Sequence, residues 1–164
     1  LGKYRGTVVN NVDPQRMGRI QALVPDVSAL APTSWALPCV PVGGPLMGLY
    51  AVPPVGAGVW IEFEHGDPDY PIWAGCYWGS AAELPALAKK APPLVPAIAV
   101  QTPLGHGLLI SDLPGPTGGI ILQSPTGAKI LVNDMGITLE TPAGAKIQLI
   151  GNMVTINDMA LTVQ

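Results

Sequence analysis

Apolar and polar residues alternate with period two over several short stretches of the chain, and clusters of Pro, Gly, Asn and Asp separate those stretches. The clearest is 58–65, where Val59, Ile61 and Phe63 fall on one face and Trp60, Glu62 and Glu64 on the other, the pattern of a half-buried strand. Residues 4–10 and 19–24 read as strands on either side of a turn-rich segment, 11–18. A third strand over 35–42 is interrupted by Pro38 and Pro41, which places it at an edge or beside a bulge, since proline cannot donate to a ladder. The turn formers of 66–69 lead into a fifth strand over 70–78. Five short strands over 1–79 predict a small barrel.

The composition changes over 80–100 to Ala, Pro and Leu around Lys89-Lys90, which predicts a linker holding at most a turn of helix. From 101 to 164 the sequence repeats. Ser124-Pro125-Thr126-Gly127-Ala128-Lys129-Ile130 returns seventeen positions later as Thr141-Pro142-Ala143-Gly144-Ala145-Lys146-Ile147. Ile137-Thr138-Leu139-Glu140 aligns with Val154-Thr155-Ile156-Asn157, Leu161-Thr162-Val163-Gln164 is a shortened echo, and Thr102-Pro103-Leu104-Gly105 is a degenerate earlier copy. Each echo runs apolar, Thr, apolar, polar. Ile130, Val132, Ile137, Leu139, Ile147, Leu149, Val154, Ile156, Leu161 and Val163 therefore share one face, with the threonines opposite.

Two short strands per unit with Pro or Gly corners predict a stacked β-solenoid or an intertwined β-prism. Each strand offers only two or three inward apolar side chains, too few for one chain to close a core. A homotrimer is expected, with those ten residues lining its axis and strand edges paired between subunits.

Nineteen prolines and twenty glycines in 164 residues leave no room for a long amphipathic helix. With only 12% of residues charged and a mean hydropathy of +0.37, the chain is too apolar to be disordered, so the fold class is all-β. A net charge of -3 supplies no attraction to phosphate backbones, and nucleic acid is not expected as a partner. No apolar run reaches the roughly 18–20 residues that span a bilayer, and no basic-then-apolar leader opens the chain. Leu1 in place of an initiating Met leaves a preceding segment open. Cys39 and Cys76 are too few for a disulfide framework or a metal site and are expected to be buried free thiols.

Lys3-Tyr4-Arg5-Gly6, Gly18-Arg19-Ile20, Pro53-Pro54-Val55-Gly56-Ala57-Gly58 and Glu64-His65-Gly66-Asp67-Pro68-Asp69-Tyr70-Pro71 resemble the oligonucleotide/oligosaccharide-binding (OB) type barrel of phage baseplate spikes. Taken with the repeats, the chain resembles the short baseplate assembly protein V family of phages and phage-derived extracellular contractile injection systems, related to the valine-glycine repeat spike of type VI secretion. The resemblance implies a five-stranded OB-type barrel seated on a tail-tube hub protein among other baseplate proteins, followed by a trimeric β-helix or β-prism needle. It also implies assembly in the cytoplasm into a virion or injection particle, with the target membrane met only on firing.

The chain departs from other spikes of this kind in three ways. It begins almost at the barrel, so the hub is expected to be another protein or a preceding segment. About twenty linker residues cannot hold a lysozyme domain. His65 and His106 do not form the His-x-His pair of an iron-bound apex. Leu161, Thr162, Val163 and Gln164 are instead expected to form a blunt platform for a separate PAAR-like tip protein.

No catalytic, cofactor or metal site is expected. Glu62 and Glu64 share a strand face, as an acid pair or cation site would, but equally as a solvated face would. His65, Asp67 and Asp69 surround turn-forming Gly66 and Pro68, where Asp is common. His106 and Asp112 have no nucleophile in a presenting motif. Lys129 and Lys146 occupy equivalent repeat positions and keep a needle soluble. Trp60, Trp73, Tyr77 and Trp78 are expected in the barrel core or at a trimer contact, and they are also the basis of the rival reading, a trimeric glycan-binding fibre.

Overall fold

Strand β1 (Tyr4–Asn10) buries Gly6 and Val8 and exposes Arg5, Thr7 and Val9, as its alternation requires. It pairs antiparallel with β2 (Gln21–Leu23) on one side and with β6 (Gly58–Phe63) on the other. Gly6 has no room for a side chain, since a Cβ there would lie 3.1 Å from Ile61 Cγ1. These elements belong to a computed structural model that describes residues 2–158 and 160–163. The chain forms two units, Leu1–Glu83 and Leu84–Gln164.

In the first unit β7 (Pro71–Tyr77) pairs antiparallel with β6, and β3 (Leu37–Pro38) lies parallel to β7, giving the order β2-β1-β6-β7-β3. Two hydrogen bonds close the ends of this curled sheet: Ile20 N–H to the Ala36 carbonyl at 3.2 Å and Ala36 N–H to the Ile20 carbonyl at 2.8 Å. The result is an OB-type five-stranded barrel. Val8, Ile20, Ala22, Val24, Ala36, Val59, Ile61 and Trp73 fill it. Trp73 also satisfies its indole N–H, which donates to the Gly18 carbonyl at 3.0 Å.

The turn before β2 is organised by Asp13. Its Oδ1 accepts from Gln15 N–H at 3.0 Å and from Arg19 Nη2 at 2.6 Å, and its Oδ2 accepts from Met17 N–H at 2.8 Å. The Arg19 guanidinium holds the Asp13 carboxyl well below the usual carboxylate range, with the backbone donors adding to the effect. Arg19 in turn sits 5.5 Å from the Trp35 ring centroid.

Strand β6 stops at Phe63, short of the predicted 65, because Glu64–Gly66 turns into a short 3-10 segment with His65 at φ 53°. The two cysteines correct an expectation: both are exposed. Cys39 follows the last paired residue of β3, and Cys76 lies one residue from the end of β7, where the barrel's buried layer has run out.

The second unit is one antiparallel meander of eight strands, each paired with its neighbours in sequence. They are β8 (Ala97–Gln101), β9 (Gly107–Ser111), β10 (Gly119–Gln123), β11 (Lys129–Asn133), β12 (Gly136–Glu140), β13 (Lys146–Ile150), β14 (Met153–Ile156) and β15 (Leu161–Val163). The solenoid alternative is therefore not what a single chain forms. The reason lies in the corners. In Ser124-Pro125-Thr126-Gly127, Gly127 adopts φ 101° and donates to the Ser124 carbonyl, while Ser124 N–H donates to the Ala128 carbonyl at 2.9 Å, closing a tight hairpin. Thr141-Pro142-Ala143-Gly144 repeats the same bonds. The repeat is thus a hairpin unit, whose other end is a two-residue turn such as Asp134-Met135.

The stretch 80–100 is more than a linker. Strand β8 already begins at Ala97, and Leu87, at 1% exposed, packs with Leu109 and Ile121. Its N–H donates to Gln101 Oε1 at 2.9 Å. Residues 84–100 fold with the second unit because Ala99, Leu109 and Ile121 leave an apolar face that needs a cover.

A separate hairpin, β4 (Gly43–Gly44) and β5 (Met47–Gly48), forms a two-stranded sheet joined to neither larger sheet.

Candidate trimerisation face

Pairing in the meander is in register from β8 to β15, so side chains on one face line up across all eight strands. One row reads Ile98, Ile110, Ile120, Val132, Ile137, Leu149, Val154, Val163. Two residues along each strand a second row reads Val100, Leu108, Leu122, Ile130, Leu139, Ile147, Ile156, Leu161. Every position in both rows is Ile, Leu or Val. The intervening row on the opposite face reads Ala99, Leu109, Ile121, Leu131, Thr138, Gln148, Thr155, Thr162, apolar where Leu87 covers it and polar beyond.

Among the described residues of the second unit, nothing covers the two aliphatic rows. Their exposures run from 37% at Ile137 to 65% at Ile98 among the larger values, with Leu108, Val154 and Ile156 half-buried. The second row floors a trough of about 880 Å³, walled on one side by the hairpin corners at Thr102, Ser124 and Thr141. A contiguous aliphatic surface of this extent marks an interface, since monomers rarely expose such patches.

All ten residues expected on the shared face lie in these rows. Ile98, Val100, Leu108, Ile110, Ile120 and Leu122 belong there too and were missed. In β9 and β10 the sequences Leu108-Leu109-Ile110 and Ile120-Ile121-Leu122 are apolar throughout, because Leu109 and Ile121 are buried on the other face, and an unbroken run hides its period. Of the expected platform, Leu161 is 54% exposed, while Gln164 and the side chains of Thr162 and Val163 lie outside the described residues.

The charged repeat residues sit beside the rows. Lys129 faces Glu140 across the β11–β12 ladder at 2.9 Å, and Lys146 pairs with Asp158. Such exposed pairs contribute little stability and chiefly keep the surface soluble.

The remaining candidate groups are dispersed. Glu62 forms an exposed pair with Lys3 at 3.5 Å. Asp67 accepts from Asp69 N–H at 3.0 Å, the turn chemistry expected of that segment. Among the described residues no three His, Cys, Asp or Glu side chains group as metal ligands. The four aromatics are split: Trp73 is in the core, Trp60 and Tyr77 meet at a tilt of 50° with centroids 5.0 Å apart and the Arg5 guanidinium within 5.6 Å of each ring, and Trp78 is 62% exposed.

Comparison with known families agrees with both units. Residues 4–78 match the type VI secretion system/phage-baseplate injector OB domain, and residues 97–162 match the phage baseplate V C-terminal trimerisation domain. No curated protein matches the chain. The second match takes in every residue of both rows except Val163, so the face left open in one chain falls within a domain that joins three. An injector OB barrel followed by that trimerisation domain makes this chain a member of the phage baseplate V family, the spike proteins of phage and type VI secretion baseplates.

Proposed function

We propose that three copies bring their eight-stranded sheets together, aliphatic rows inward, as the walls of a triangular needle that pierces the target envelope when a contractile particle fires. The observation that carries this reading is the unbroken pair of Ile, Leu and Val rows on a face that no described residue of the second unit covers. With strands spaced at about 4.8 Å, eight of them give a wall roughly 34 Å long. Nearly all of its backbone is tied into ladders or tight corners, which makes the wall stiff, and its outer Thr and Gln row is suited to water.

In this reading the barrel sits against the tail-tube hub among other baseplate proteins, the assembly forms in the cytoplasm, and a PAAR-like tip protein caps the end carrying Leu161. The role is mechanical: attachment at one end, force concentrated at the other. A trimeric glycan-binding fibre is the weaker alternative, since Trp73 is committed to the core and only Trp78 of the four aromatics stands well out.

Electron microscopy of assembled particles tests the placement. With an affinity tag inserted in the exposed Gly151-Asn152 turn, a bound gold label is expected on the tail axis at the leading end of the baseplate. Label along the sheath or at the distal collar would refute the needle role.

A further inference from the structure

The hairpin β4–β5 stands at the centre of the segment 39–51, which contributes no residue to the barrel's buried core and is tied to β7 at its start by Cys39 N–H, donating to the Trp73 carbonyl at 2.9 Å. All thirteen residues of 39–51 are exposed, and Val42, Leu46, Met47, Leu49 and Tyr50 are among them. No charged residue occurs anywhere from 27 to 61. An isolated two-stranded hairpin is marginal in water by itself, and an uncharged one is poorly solvated as well. The tip adds a second observation. Leu46 adopts φ 60°, a left-handed conformation that Gly or Asn takes far more readily, and its side chain is fully exposed there. A bulky apolar group is held out at the apex against the backbone's preference.

We infer that this hairpin is an arm that docks on the barrel of a neighbouring copy within the trimer. Two arguments select a second copy over a foreign protein. The arm is small: stable interfaces between independent proteins use about 20–30 residues a side, roughly twice what the arm offers. A contact of that size holds only where something else has already brought the partners together. The trimerisation domain does so, because each barrel ends at Glu83 and the sheet of the same chain begins at Ala97. Three barrels tethered that closely meet at an effective concentration in the millimolar range. The arm thus locks the barrels to one another while the needle holds the chains. The inference rests on the trimer but not on the piercing role.

A benzophenone amino acid placed at Leu46 tests it in the full chain. Ultraviolet irradiation of the purified trimer, assembled from equal parts of light and ¹⁵N-labelled chains, is expected to give covalent dimers and trimers. Their cross-linked peptides should pair light with heavy chains and fall within 4–78. Cross-links confined to a single chain or to the needle, or none until a separate protein is added, would overturn the arm assignment. As a second measurement, amides of 43–49 are expected to exchange at least tenfold faster in Met47→Asp than in the parent, with the trimer mass unchanged. Equal exchange in the two proteins would also overturn it. A monomeric parent protein would instead remove the trimer itself.

Discussion

Ile156→Asp is expected to abolish trimer formation, whereas Thr155→Asp, one residue away, is expected to leave it intact. Ile156 lies in the second aliphatic row, between Ile147 and Leu161, and Thr155 lies in the polar row between Gln148 and Thr162. Neighbouring strand residues point to opposite faces, so the two substitutions place the same charge on opposite sides of one wall. If the rows meet at a common axis, Ile156→Asp confines three carboxylates in an aliphatic interior. An unpaired buried ion costs several kcal/mol, so the three together cost on the order of 10 kcal/mol. That is as large as the whole stability of an ordinary domain, about 5–15 kcal/mol. The outward substitution is expected to change stability by no more than about 0.5 kcal/mol, as surface changes commonly do. Sedimentation velocity of both variants reads the result, and equal masses for the two would show that the inward face has been misassigned.

Trp73→Ala is expected to unfold the barrel while sparing the second unit. Trp73 is 6% exposed, lies among Val8, Ile20, Val59 and Ile61, and bonds the Gly18 carbonyl that ends the Asp13 turn. Removing a buried Trp costs about 3–5 kcal/mol, and the abandoned carbonyl adds to that. For a small barrel this is a large part of a total stability of about 5–15 kcal/mol. The second unit has its own buried cluster, Leu87, Leu109 and Ile121, and its own ladder. Calorimetry should show the barrel transition lowered or lost with the transition of the second unit unmoved. A single transition that shifts as a whole would mean the two units fold as one.

Much of this architecture is legible along the chain, for physical reasons that also explain what is not. Strands β1 and β6 show themselves because one face of each meets the core and the other meets solvent or a surface contact, so polar residues interrupt the apolar ones, whereas β7, with no charged or amide residue to alternate, is marked by the turn formers before it. Strand β3 is weaker in sequence and in structure, with Pro38 limiting it to two paired residues. The repeat is visible because its Pro and Gly corners recur at a fixed spacing. Its register is not, since cross-strand pairing is decided by hairpin geometry and not by any single residue. Strands β9 and β10 escape a period-two reading because both faces are apolar, one beneath Leu87 and the other in the open aliphatic rows.

That cover was itself hidden in a stretch whose Ala and Pro content suggests only a linker. The Asp13–Arg19 pair was likewise concealed, because Asp in a turn-rich segment has an ordinary explanation and nothing local marks its bond to Arg19. Cysteine's usual burial misled for Cys39 and Cys76, which sit where short barrel strands end. That the ten residues share one face followed from alternation and the repeat; that they extend into sixteen in two continuous rows needed the pairing.

The central claim is that these rows belong at the axis of a trimer, and native mass spectrometry at micromolar concentration tests it most directly. Three 17.0-kDa chains should appear as one species of about 51 kDa. A stable monomer of 17.0 kDa, with its aliphatic rows open to water, would contradict the account.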